Sequence, residues 1–140
     1  MKNWKPAMSM KLVDTSAWVE FLRHRGDPSA KEVVAALLED ALTAFTCPIR
    51  FELLSGVRPE EEADLQQALD FSQHIPFAIE DWREAALLER SLRAKGLKVP
   101  RNDLFVATVA IRTGLPLVCR DAHFTAINKA LGHKIKVEQI

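Results

Sequence analysis

The chain is 140 residues long, 48% hydrophobic and 27% charged, which fits a single globular domain and excludes a fibrous or strongly disordered protein. Nineteen basic and nineteen acidic side chains cancel, so bulk charge gives no sign of a nucleic-acid or membrane partner, although a local patch can bind where the total is zero. Two cysteines, Cys47 and Cys119, lie in the apolar runs "TAFTC" and "LPLVC" and read as buried, reduced thiols.

The first residues, "MKNWKPAMS", contain no apolar h-region, and no stretch is long enough to span a bilayer. A cytoplasmic location is the expectation, with residues 1–9 a poorly ordered extension and 10–140 a single domain. "MKLV" is a short apolar run ending at Asp14 and reads as a strand. "TSAWVEFLRH" follows at helical spacing, "RGDPS" marks a turn, and "AKEVVAALLEDAL" has the period of an amphipathic helix. "TAFTC" reads as a second strand, Pro48 opens the short helix "IRFELLSG", and Pro59 opens another, "PEEEADLQQALDFSQ", with acids in its first turn. "IPFAI" reads as extended. In "EDWREAALLERSLRAKG", Trp82, Ala85, Leu88 and Leu92 share one face. "NDLFVATVAIRTG" is apolar almost all round, the pattern of a buried helix. "LPLVCR" is an apolar strand, "DAHFTAINKALG" a turn and short helix, and "KIKVEQI" a closing strand. Alternating strands and helices, with apolar strands lacking period-two alternation, predict an α/β fold whose parallel sheet is covered on both faces.

Ligands of open α/β sheets bind beyond the carboxyl ends of the strands. Asp14 follows the first strand and Asp121 the "LPLVC" strand; Glu52 stands in an otherwise apolar helix after the second strand, and Asp103 opens the buried helix. Each acid alone has an ordinary explanation as a helix cap, a favourable charge at a helix start, or a solvated side chain. A strand order that sets the first and fourth strand ends side by side makes Asp14 and Asp121 converge, with Asp103 and Glu52 close by. Carboxylates about 4 Å apart repel by roughly 4 kcal/mol at an effective dielectric near 20, more than capping offsets. Such acids are either protonated or gathered around a divalent cation, and an all-oxygen site suits Mg²⁺ or Mn²⁺. Phosphodiester hydrolysis is the reaction such a site points to. Arg101 and Arg120 flank it and are candidate ligands for substrate phosphates.

"LVDTSAW", "RFELLSG", "PRNDLFVATVA" and "LVCRDAHF" resemble, in order and spacing, the acidic motifs of PIN-domain ribonucleases, and among these the VapC toxins of VapBC toxin–antitoxin pairs. The resemblance runs from Met10 onward. It implies a PIN-like (Rossmann-like) three-layer sandwich and a Mg²⁺- or Mn²⁺-dependent endoribonuclease. The implied catalytic residues are Asp14, Glu52, Asp103 and Asp121, with Asp14, Asp103 and Asp121 as metal ligands. Thr15 or Ser16 matches a hydroxyl position beside the first acid. His123 stands where some relatives carry a further aspartate, so it is given no ligand role and reads as a turn residue. Implied partners are an RNA substrate, a VapB-like antitoxin packed in a hydrophobic groove, and a second copy in a homodimer. Trp18 and Phe21 are candidates for that groove or, more simply, for the core. Two other readings compete. One is a catalytically silent binding module on the same fold; the other is an aspartyl-phosphate enzyme using Asp14, against which Ser16 counts because that chemistry normally places a second aspartate there.

Overall fold

The computed structural model describes residues 10–140; the expectation for the extension 1–9 lies outside the described residues. Five short strands form one parallel sheet: β1 (Lys11–Val13), β2 (Thr43–Thr46), β3 (Gln73–Ile75), β4 (Leu117–Cys119) and β5 (Val137–Gln139), in the order β3-β2-β1-β4-β5. Leu12 faces Ala44 on one side and Leu117 on the other, so β1 is the central strand. β2 and β4 are buried at every position, which requires cover on both faces and explains why these segments read as continuous apolar runs.

Seven α-helices make the crossovers. α1 (Thr15–Leu22) and α2 (Pro28–Glu39) join β1 to β2, and α3 (Cys47–Gly56) and α4 (Glu62–Asp70) join β2 to β3. α5 (Ile79–Ala94) and α6 (Arg101–Thr113) lead into β4, and α7 (His123–Ala130) leads into β5. The sheet order reverses direction between β1 and β4, the switch point at which a parallel sheet opens a crevice beyond its carboxyl edge. α6 buries seven of its thirteen residues, as its near-continuous apolarity predicts. Trp18 is fully buried and Phe21 packs edge-on against it, so the first of these goes to the core. None of the described helices is long and apolar enough to cross a membrane.

Three expectations are corrected. The third strand lies at Gln73–Ile75 rather than in "IPFAI". It is an edge strand rich in polar residues, so hydrophobic pattern does not reveal it, and Pro76, which has no N–H, follows its last residue. Cys47 is exposed, whereas Cys119 is buried. The strand ends at Thr46, and Cys47 becomes the first residue of α3, with its Sγ 3.4 Å from His74 Nε2. Trp82 is 58% exposed and stacks edge-on with Phe77 and Phe105 instead of joining Ala85 and Leu92 in the core.

The stripe position one turn before Ala85 belongs to Asp81, which is buried and pairs with Arg112 Nε at 2.8 Å. Arg112 also donates to the Pro76 carbonyl at 3.0 Å, tying the β3–α5 connection to α6. Replacing Arg112 with methionine strands the buried carboxylate. The expected loss is about 2–3 kcal/mol, below that of a fully buried pair because the guanidinium is partly solvated. A shift in the urea midpoint at unchanged m-value is the measurement.

Candidate active site

Asp14 leaves β1 in extended conformation and caps α1: its Oδ2 accepts from the Ser16 amide at 3.1 Å and the Ser16 hydroxyl at 2.6 Å. Ser16 Oγ in turn accepts from the Arg120 amide at 2.9 Å. One hydroxyl thus ties the end of β1 to the end of β4 and fixes the spacing of the two strand ends. Thr15 turns the other way and donates to Glu52 Oε1 at 2.8 Å, holding the α3 carboxylate toward the same crevice. The two adjacent hydroxyls therefore position two different acids.

On the opposite side, Asp103 sits in the first turn of α6 and Asp121 follows β4. His123, the first residue of α7, bridges them. Its Nδ1 lies 2.6 Å from Asp103 Oδ2 and 3.8 Å from Asp121 Oδ1, and its backbone amide donates to Asp121 Oδ1 at 3.0 Å. One ligand atom from each of Asp103, Asp121 and His123 falls within 4.8 Å of the others.

The electrostatics register the convergence. Burial, opposed by the Ser16 hydrogen bonds and assisted by the charges of Asp121 and Asp103, raises the Asp14 carboxyl to about 7. Asp103 is raised by burial and then by Asp121, with His123 pulling it down and Glu52 pushing it up. Burial, followed by the charges of Asp14, Asp121 and Asp103, pushes the Cys119 thiol up to about 12, so this cysteine is an inert wall of the site. Asp14 Oδ1 is buried and has no hydrogen-bond partner among the described residues. A buried carboxylate oxygen without a donor is a costly arrangement for the protein alone. An oxygen-preferring divalent cation placed among the carboxylates of Asp14, Asp103 and Asp121 would relieve it, and an acidic donor set of this kind fits such an ion.

The PIN-domain profile matches residues 11–130, nearly the whole described chain. The protein belongs to the PIN-domain family. Ribonuclease VapC11 of Mycobacterium tuberculosis and a VapC ribonuclease of Mycobacterium bovis are each 40% identical to it over 123 residues, covering 84% of this chain and 91% of theirs. In fold, this PIN domain is similar to a chain of the Rickettsia felis VapBC2 complex bound to a promoter DNA fragment, with a TM-score of 0.76 at 20% identity, covering 94% and 98% of the two chains. It is likewise similar to a chain of the DNA-bound VapBC complex of Salmonella typhimurium, with a TM-score of 0.75 at 18% identity, covering 93% and 98%.

Among the predicted residues, the PIN domain brings Asp14, Glu52, Asp103 and Asp121 together, with Thr15 and Ser16 hydrogen-bonded to two of them. Arg101 and Arg120 are engaged elsewhere: Arg101 Nε with Glu89 at 3.3 Å, and Arg120 Nη1 with Asp27 at 3.4 Å and the Ile140 carbonyl at 3.3 Å. Two residues at the site escaped the sequence reading. His123 looked like a turn residue because its contact with Asp103 spans twenty positions of chain. Thr46 ends β2 beside Asp14, two positions beyond the Leu12–Ala44 pair, and its buried Oγ1 also has no partner among the described residues. Its position at a strand end was the available signal.

Proposed function

We propose that this PIN domain is a Mg²⁺- or Mn²⁺-dependent endoribonuclease and the toxin of a VapBC-type toxin–antitoxin pair, acting on RNA phosphodiesters and held inactive by a VapB-like antitoxin. The observation that carries the reading is the meeting of four acids at the carboxyl edge of β1, β2 and β4, one of them with an orphaned buried oxygen. The VapC ribonucleases that it resembles at 40% identity support the same activity, and the VapBC complexes that share its fold support the same kind of partner. A homodimer is part of the same reading.

Asp14, Asp103 and Asp121 would hold the ion, with His123 fixing the Asp103 carboxylate through its 2.6 Å contact. When bound, a divalent cation supplies charge neutralisation at the scissile phosphate and lowers the pKa of a coordinated water. Ser16 keeps Asp14 Oδ2 in place and links it to β4. Glu52, oriented by Thr15, has its other oxygen to accept a proton from the attacking water. The water oxygen bonds to phosphorus as the bond to the ribose oxygen breaks, and that leaving oxygen is protonated from solvent. Arg101 and Arg120 remain candidates for holding substrate phosphate only through release from their present carboxylate partners.

Purified, partner-free protein is expected to cut single-stranded RNA with Mg²⁺ or Mn²⁺ and to stop in excess EDTA. Asp121→Asn should slow cleavage at least about 100-fold, more than the loss usual for a residue that only supports a metal ligand. RNA left intact by the wild-type protein in both metals would overturn the assignment in favour of a silent binding module.

A further inference from the structure

A basic cleft lies beside the acidic site and belongs to none of the sequence motifs. It has a volume of about 500 Å³ and is lined by Arg23, His24, Arg25 and Arg58. All four side chains are exposed, and none of the three guanidinium groups forms an ion pair among the described residues. Arg23 and Arg58 also line a narrower cavity of about 80 Å³, whose wall includes Glu52. Arg23 and Arg58 line both cavities, so the cluster of cations stands beside a cavity that reaches a carboxylate of the site. Glu61 lines the connecting part as well, but its carboxylate is occupied by the Arg58 amide.

The turn that carries Arg23, His24 and Arg25 is braced. Gly26 donates to the Arg23 carbonyl, which also accepts from Lys31 Nζ, and Asp27 binds Glu20 Oε1 through its amide at 2.9 Å. Asp27 caps α2 and pairs with Arg120, the neighbour of Asp121. The cluster is thus fixed relative to the active-site strand β4. In a chain of zero net charge, such a local concentration of unpaired cations determines where an anionic chain is held.

We propose that the Arg23–His24–Arg25–Arg58 cleft is the subsite for the RNA backbone, binding phosphates next to the one being cut and feeding the strand past Glu52 to the four acids. The proposal rests on the ribonuclease reading above and deepens it. Arg23, Arg25 and Arg58 present donors suited to phosphate oxygens, and contacts of this kind position the strand without reading its sequence.

The test measures binding of a labelled single-stranded RNA in the Asp121→Asn background across a salt series. Arg23→Ala with Arg58→Ala should weaken binding about tenfold at low salt. It should also reduce the slope of log K against log salt by about 1.4, the loss of two single-strand phosphate contacts. In the otherwise wild-type protein the same pair should raise KM for RNA. Arg83→Ala with Arg90→Ala removes the same charge from α5 and should leave the slope unchanged. Unaltered RNA affinity and slope in the cleft variant overturn the subsite, and so does a variant that loses only an acidic peptide while keeping RNA, which would make the cleft a protein-docking site. Wild-type protein that neither binds nor cuts RNA overturns the ribonuclease reading together with the subsite; wild-type protein that cuts RNA as well as the cleft variant does overturns the subsite alone.

Discussion

Asp14→Asn is expected to raise the melting temperature of the metal-free protein at pH 8 while lowering RNA cleavage at least about 100-fold. The carboxyl titrates near 7 in the folded chain, against 3.8 for its ordinary value, chiefly because it is buried. Between about pH 4 and pH 7 the folded chain keeps a proton that the unfolded chain has released, so stability falls as pH rises across that window. Above it, the ionised and partly unpaired carboxylate costs on the order of 4 kcal/mol. Asparagine keeps an oxygen for the Ser16 donors and removes the charge. At about 4 °C per kcal/mol for a chain of this size, the gain is roughly 15 °C in EDTA, shrinking toward pH 4 as the wild-type carboxyl becomes neutral in both states. Mg²⁺ should raise the wild-type melting temperature at pH 8 and do much less for the variant. Thermal scans at pH 5 and pH 8, with EDTA or Mg²⁺, provide the measurement. A variant no more stable than wild type at pH 8 in EDTA would mean that Asp14 is not a strained, cation-seeking acid. The expected trade of stability for activity is characteristic of a site built to hold something the protein lacks.

Gly26→Ala is the second large effect, and its cause is steric. A Cβ on Gly26 would sit 1.8 Å from the Glu20 carbonyl oxygen and 2.8 Å from its carbon. Both atoms are backbone of α1, so a rotamer change cannot relieve the clash. The turn must move, taking with it the Asp27 cap of α2, the Glu20–Asp27 hydrogen bond and the Arg120–Asp27 pair. A loss of about 3 kcal/mol is expected, read as a lower urea midpoint. If the basic cleft holds RNA, the folded fraction should also bind RNA more weakly, because two of the cleft's three arginines ride on this turn. Wild-type stability in the alanine variant would show that the turn is far softer than its contacts indicate.

The acids were legible because chemistry and position coincide in a parallel sheet. Asp14 and Asp121 each follow an apolar run, and an acid directly after such a run lands on the carboxyl edge whatever the connections do. Glu52 was legible as a charge in an apolar helix, and Asp103 as an acid at the head of a buried one. The support around them was less so. Thr15 and Ser16 could be placed near the site, but their division of labour, one hydroxyl for Glu52 and one for Asp14, depends on side-chain directions around the first turn of α1. Trp82 misled because its spacing matched the core stripe of α5, while Asp81, paired with Arg112 across thirty-one positions, took the core place. Cys47 misled because an apolar neighbourhood in sequence became a strand-to-helix corner in space. Arg101 and Arg120 stood beside the right acids in the chain, yet their side chains reach away to Glu89 and Asp27.

By itself, then, the sequence determined the alternation of strands and helices, the parallel covered sheet and which acids stand at strand ends and helix starts, since apolar periodicity and residue type are local properties of the chain. Only the tertiary structure decided the strand order that brings β1 beside β4, the His123 bridge between Asp103 and Asp121, and the union of Arg23–Arg25 with Arg58 in one cleft. Each of these joins residues distant along the chain, and such contacts follow from how whole elements pack rather than from any local pattern.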